Sequence, residues 1–172
     1  MRAPLTLTEA QEQFWMKLLL SRAERLGRLN EVPVSAMVVD GLGRWVGFGG
    51  NCRERDLDPL GHAELVAMRQ AARLRGDWRM NDCTLVVTLE PCPMCAGALV
   101  QARMGQVIFG AGDPKRGAMG GTIDLTQHAS AHHQMKVKGG VLEEEASAML
   151  RNWFRQRRRR ADGTSEVRSR RG

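Results

Sequence analysis

Between Thr8 and Leu29 apolar residues recur at helical spacing, with Ala10, Phe14, Trp15, Leu18, Leu19 and Leu26 gathered on one side. That period predicts an amphipathic helix whose stripe enters the core. Thr8, followed three residues later by Gln11, offers a capping box for its start. The pattern then changes to one that suits strands. Val32 to Val39 is predominantly apolar and reads as a buried strand, Asp40-Gly41-Leu42-Gly43 as a hairpin turn, and Arg44 to Gly50 as the returning strand. A polar loop, Asn51 to Gly61, follows.

From there helices and strands alternate. His62 to Leu74 reads as a helix, Thr84 to Leu89 as a strand, Pro93 to Ala102 as a second helix and Gln106 to Gly110 as a further strand. Gly112 to Gly121 is a glycine-rich loop, and Glu143 to Arg157 has the period of a last helix. Alternation of this kind implies a parallel section added to an antiparallel hairpin. No internal repeat is visible.

At 172 residues and 42% hydrophobic, the chain is long enough to bury one full core. A single domain is expected over residues 1–158, followed by a basic, disordered tail at 159–172. The apolar run Phe14 to Leu20 is interrupted by Lys17 and falls short of a membrane span, so no membrane association is expected. The start lacks the basic, apolar and small-residue order of a secretory signal. Together with the metal-binding use of cysteine argued below, this points to the reducing cytoplasm.

Charge is confined to one end. Residues 1–150 carry 17 Lys plus Arg against 17 Asp plus Glu, whereas residues 151–172 carry nine arginines against two acids. The net charge of +7 therefore lives in the tail. Arg155, Arg157 and Arg158 stand beside Trp153 and Phe154, a composition suited to phosphates and unstacked bases, although a solvated helix end would look similar.

The candidate chemistry lies between these regions. His62-Ala63-Glu64 is followed, thirty positions after the histidine, by the first cysteine of Pro91-Cys92-Pro93-Met94-Cys95. Structural zinc is closed by four protein ligands, whereas catalytic zinc keeps three and leaves a place for water. His62, Cys92 and Cys95 make three. Cys92 and Cys95 share one face of a helix, but Glu64, two residues from His62, does not share its face. Glu64 is therefore read as a proton shuttle beside the metal rather than a ligand of it. A Cys-x-x-Cys alone could be a redox pair or half of a zinc ribbon, and His-x-Glu alone arises by chance. The combination is the signature of zinc deaminases, with one Zn2+ per subunit and no organic cofactor expected. Cys52 and Cys83 read as small buried hydrophobes.

From Leu5 to Arg158 the chain resembles the bacterial tRNA-specific adenosine deaminases of the cytidine deaminase-like superfamily. The resemblance rests on Asn51 eleven positions before His62, Asp58-Pro59, the stretch Thr88 to Ala98, and Phe109-Gly110-Ala111-Gly112-Asp113-Pro114-Lys115. It implies an α/β fold, a three-layer α/β/α sandwich around a mixed five-stranded sheet, acting as a homodimer. It implies hydrolytic deamination of adenosine to inosine at the wobble position of a tRNA, an arginine tRNA with an ACG anticodon, presented as an anticodon stem-loop. In that reading Asn51 binds the flipped nucleoside and Asp113 the sugar of a neighbouring nucleotide. Taken without the resemblance, both residues are ordinary turn formers. The chain departs from the family pattern at Gly61, where alanine is usual, and at His132-His133, where the family has Asn-His.

Two other readings stay open at this point. A relative acting on free guanine, cytosine or a nucleoside would use the same metal chemistry without needing the basic tail. A non-catalytic, zinc-stabilised RNA-binding module would keep the ligands but not need Glu64.

Overall fold

A computed structural model describes residues 4–169, with side chains described through Arg160. Its first helix, α1 (Glu9–Arg28), starts at the expected capping box: the Thr8 side chain accepts from the Gln11 N–H and the Gln11 side chain accepts from the Thr8 N–H. The buried stripe is rotated from the expected one. Glu12, Met16, Leu19 and Ala23 face inward, whereas Phe14 is 61% exposed. The rotation is possible because Lys138 pairs with the Glu12 carboxylate at 2.5 Å, so a charged position can be buried without being left unpaired.

The hairpin β1 (Ser35–Val39) and β2 (Trp45–Gly50) forms with Asp40 at its turn. Helix α2 (Ala63–Arg75), strand β3 (Thr84–Leu89), helix α3 (Pro93–Gln101) and strand β4 (Gln106–Ala111) follow in the expected order. A short β5 (Lys136–Lys138), which no apolar pattern announced, completes a sheet of order β2-β1-β3-β4-β5. The β2-β1-β3 pairings are antiparallel and β3-β4-β5 are parallel. All three residues of β5 are exposed, so its pairing is carried by backbone bonds and not by burial.

Helices α2 and α3 cover one face of the sheet, burying Ala67, Ala71, Ala96 and Leu99 against Val38, Leu85 and Val107. Helix α1 covers the other face, where Met16 and Leu19 meet Met37, Val86 and Ile108. Beside it α4 (Glu143–Ser169) brings Ala146 next to Gly110 and Met16. This is the three-layer α/β/α sandwich with a mixed five-stranded sheet. Helix α4 continues past Arg157, where the apolar pattern stops, because arginine is itself a strong helix former. The tail expected to be disordered from residue 159 begins within α4, and past Arg160 it lies outside the residues whose side chains are described.

One packing detail sets up the site. A Cβ on Gly49 would run into the Ala63 carbonyl, and one on Gly47 into the Ala67 carbonyl, so two glycines of β2 let α2 lie directly on the strand. The start of α2 is thereby held close to the sheet. Among the described residues no helix is long and apolar enough to cross a membrane.

Candidate active site

Two helices begin at the carboxyl end of β3, the edge at which open α/β sheets commonly bind ligands. His62 is the N-cap of α2 and Cys92 the N-cap of α3, with Pro93 at its first turn. The positive ends of both helices point at this spot, which favours thiolate there. His62 Nδ1 lies 3.6 Å from Cys92 Sγ and 3.5 Å from Cys95 Sγ. All three ligand atoms fall within 4.8 Å of one another.

These distances test the fit to zinc. With Zn–S of about 2.3 Å and Zn–N of about 2.0 Å, neighbouring donors on a tetrahedron stand about 3.5 Å apart. The observed nitrogen–sulfur separations are those of two tetrahedron edges, so the donor set fits the ion. Cys95 is fully buried and Cys92 partly open. The hydrogen bond from Cys95, with help from His62, pulls the Cys92 thiol down to about 3 against the opposing effect of burial. The same hydrogen bond, with burial, pushes Cys95 up. His62 is raised by its bond to Cys92, so the group holds at least one thiolate without outside help.

Glu64 stands outside the donor cluster but in the same cavity, 4% exposed. Burial pushes its carboxyl up, partly offset by its own N–H and by His62. A carboxyl shifted toward neutrality and set beside an open metal position can both take up and give back a proton.

The cavity, of about 800 Å3, extends outward from this cluster. Val32, Val34, Leu89 and Leu150 form an apolar wall, while Asn51, Asp113, Arg155 and Arg158 also line it. Four of the expected substrate contacts are thus brought together with the metal site. Arg157 is not among the lining residues of this cavity: it donates to the Asn30 side chain at 2.9 Å and to the Asn30 carbonyl at 3.2 Å, and its guanidinium lies over the Trp153 ring. Trp153 in turn donates to the Gly27 carbonyl at 3.0 Å. This pair ties α4 to the end of α1, which turns Arg151, Phe154, Arg155 and Arg158 toward the cavity.

The two residues singled out by resemblance also do local structural work. Asn51 Oδ1 accepts from the Ala63 N–H, and Asp113 Oδ1 accepts from the N–H groups of Lys115 and Arg116. Gly61 has its own explanation: a Cβ there would meet Cys52 Sγ at 2.9 Å, so the buried cysteine occupies the room that an alanine would need. His133 Nε2 donates to the Met104 carbonyl at 2.7 Å, while His132 is exposed. Sequence reasoning missed Arg53, Glu90 and Arg116 as cavity-lining residues. No periodic signal marks them, because each lies in a loop whose path depends on tertiary contacts.

Residues 9–111, which include every metal donor and Glu64, match the model of the cytidine and deoxycytidylate deaminase zinc-binding region. The chain belongs to that family, and it is a zinc-binding deaminase. It is similar to the tRNA-specific adenosine deaminase of Bacillus subtilis (strain 168), 41% identical over 150 residues that cover 87% of this chain and 92% of the relative. It is also similar to part of the tRNA(Ile)-lysidine synthase of Deinococcus radiodurans, 45% identical over 86% of this chain but only 25% of that protein. Among solved structures, one from studies of A-to-I editing by tRNA:A34 deaminases at the wobble position of transfer RNA superposes with a TM-score of 0.73. It is 36% identical and covers 78% of this chain and 97% of that chain.

Proposed function

We propose that the protein hydrolyses adenosine to inosine at position 34, the wobble position, of a tRNA, releasing ammonia. An arginine tRNA with an ACG anticodon is the substrate that the family resemblance favours. The observation that carries this reading is the set of exposed cations that line the catalytic cavity: Arg53, Lys115, Arg116, Arg151, Arg155 and Arg158. A free base brings no phosphate for these groups to meet, whereas an RNA strand reaching them brings one per nucleotide.

Zinc held by His62, Cys92 and Cys95 would supply Lewis-acid activation of water. Glu64 would take one proton from water and give it to a ring nitrogen of the base as the C–O bond forms, then carry a second, from the added hydroxyl, to the amine as the C–N bond breaks and ammonia leaves. Asn51 lines the same cavity as Glu64, and its amide is the group we assign to the inserted base. The adenosine of an anticodon loop is already unpaired, so turning it inward costs a few kcal/mol or less. Asp113 at the rim gives an acceptor for a 2′-hydroxyl, the group that separates RNA from DNA. The work belongs in the cytoplasm, with the tRNA pool.

We further read the protein as a homodimer, a reading supported by the resemblance and by Leu57 and Leu60, 86% and 50% exposed in the loop ahead of His62. Sedimentation equilibrium measures this directly.

The function is tested by incubating the purified protein with an anticodon stem-loop carrying adenosine at position 34 and, in parallel, with free adenine, guanine and cytidine. Inosine in the RNA, read as guanosine after reverse transcription, is expected. Ammonia release confined to the free compounds would sink the proposal.

A further inference from the structure

Glu90 lies between the end of β3 and Pro91-Cys92, is 4% exposed, and belongs to neither the donor set nor the proton path. Its backbone N–H continues the pairing of β3 with β4 by donating to the Ala111 carbonyl at 2.8 Å. Its side chain turns under the loop that leaves β4. Oε2 accepts from the Asp113 N–H at 2.8 Å, and Oε1 accepts from the N–H groups of Met119 at 2.9 Å and Gly121 at 2.8 Å. One carboxylate thus collects three backbone donors from both ends of the 113–121 segment.

The loop is shaped around that group. A Cβ on Gly117 would collide with the carboxylate, and one on Gly121 would come within 2.6 Å of Oε2. A second tie runs beside it, from the Ala118 N–H to the Pro91 carbonyl at 2.9 Å. A buried carboxylate is costly unless its oxygens are occupied, and a loop that buries only Gly117, Ala118 and Met119 has backbone donors of its own to satisfy. Each supplies what the other lacks.

The same loop carries Asp113, Lys115 and Arg116 into the cavity wall. We propose that Glu90 is a positioning residue that fixes the 112–121 loop relative to Cys92, two residues further on, so that the groups meeting the nucleotides around the target base are held in register with the metal site. Glutamate suits this role better than glutamine. Both oxygens must accept, and a glutamine would turn its NH2 toward either the Asp113 N–H or the Met119 and Gly121 pair.

The inference rests on the RNA reading for its kinetic assay, but not for its structural one. Hydrogen exchange of Glu90→Gln, measured without substrate, should show lost protection at the amides of Asp113, Met119 and Gly121 with zinc content unchanged. Wild-type protection there would overturn the proposal whatever the substrate proves to be. On the stem-loop, KM should rise about tenfold, the effect of one lost hydrogen bond, with kcat within about threefold of wild type. The decisive readout is coupling. In a background combining Asp113→Ala, Lys115→Ala and Arg116→Ala, Glu90→Gln should raise KM by less than about twofold, because the groups it positions are gone. Independent, multiplying effects would reduce Glu90 to a general structural residue. Should Glu90→Gln not fold, Gly117→Ala approaches the same contact from the loop side and should reproduce the KM rise; an unchanged KM in that variant overturns the proposal.

Discussion

The side-chain oxygen of Asn51 accepts a hydrogen bond from the backbone N–H of Ala63 at 3.0 Å, both groups being buried. Ala63 is the first residue of the helix that carries Glu64, and His62 before it makes no side-chain cap of its own. An asparagine read from the sequence as a substrate contact therefore caps the helix that carries Glu64 from twelve residues upstream.

The two roles separate by mutation. Asn51→Ala leaves a buried helix N–H unpaired and should lower stability by about 1–2 kcal/mol in urea unfolding. Asn51→Asp keeps the acceptor and should recover most of that loss, but it removes the NH2 group available to a base, so kcat/KM on the stem-loop should stay low. Equal recovery of stability and activity in Asn51→Asp would leave Asn51 with a capping role only.

Glu64→Gln preserves size and hydrogen-bonding capacity while removing the carboxylate proposed as the proton shuttle. Turnover should fall by about 10^2–10^4-fold, with zinc content and RNA affinity maintained. Filter binding and single-turnover kinetics measure the two parts separately. Retained turnover would place the shuttle elsewhere in the cavity.

Metal removal should affect stability as well as activity, because the donors come from the starts of two different helices, which a bound ion would tie together more firmly than their own contacts do. Dialysis against a chelator is expected to abolish deamination and lower the thermal midpoint, and zinc should restore both. At free zinc about a hundredfold above its Kd, the stabilisation recovered should be about 2.7 kcal/mol. A midpoint indifferent to zinc would mean that the His62, Cys92 and Cys95 cluster is held together by the fold alone.

The ligand set was legible in the sequence because its chemistry is local: short spacings on two helix starts fix which side chains converge. The alternation of helices and strands was legible for the same reason, since each element carries its own period. Strand β5 was not, because Lys136-Val137-Lys138 is exposed throughout and has no apolar face to announce it. The stripe of α1 was misplaced because burial of Glu12 depends on Lys138, a partner 126 residues away. Arg157 was grouped with Arg155 and Arg158 by composition, but helical rotation places it toward Asn30, a distinction that only the docking of α4 on α1 could reveal.

The hairpin turn carries an acid-sensitive element. Burial alone would raise the Asp40 carboxyl, but bonds from the Arg44 guanidinium and from the N–H groups of Arg44 and Leu42 outweigh it and hold the group below its ordinary 3.8. A depressed folded-state value means that the contribution to stability is present above the unfolded value and is lost as pH falls through the folded one. Urea midpoints from about pH 6 down to about pH 3 should therefore fall more steeply for wild type than for Asp40→Asn, which should be less stable by about 1–2 kcal/mol near neutrality. Parallel curves would assign acid sensitivity to other carboxylates.

The arginines of α4 provide the sharpest test of how RNA meets the cavity, because neighbours in sequence face opposite ways. Arg155 and Arg158 line the cavity, whereas Arg157 bonds Asn30 and stacks on Trp153. If the first two contact phosphates, Arg155→Ala and Arg158→Ala should each weaken stem-loop binding and reduce the slope of log K against log salt by about 0.7, the increment for one contact to a single strand. Arg157→Ala should leave that slope unchanged. Its effect should appear in unfolding, as a loss of about 1 kcal/mol from the α1–α4 contact, discounted because the side chain is partly exposed. Fluorescence anisotropy over a salt series, run beside urea unfolding, measures both quantities. Equal salt slopes for all three variants would mean that the strand follows the whole basic helix and not the cavity-facing side alone.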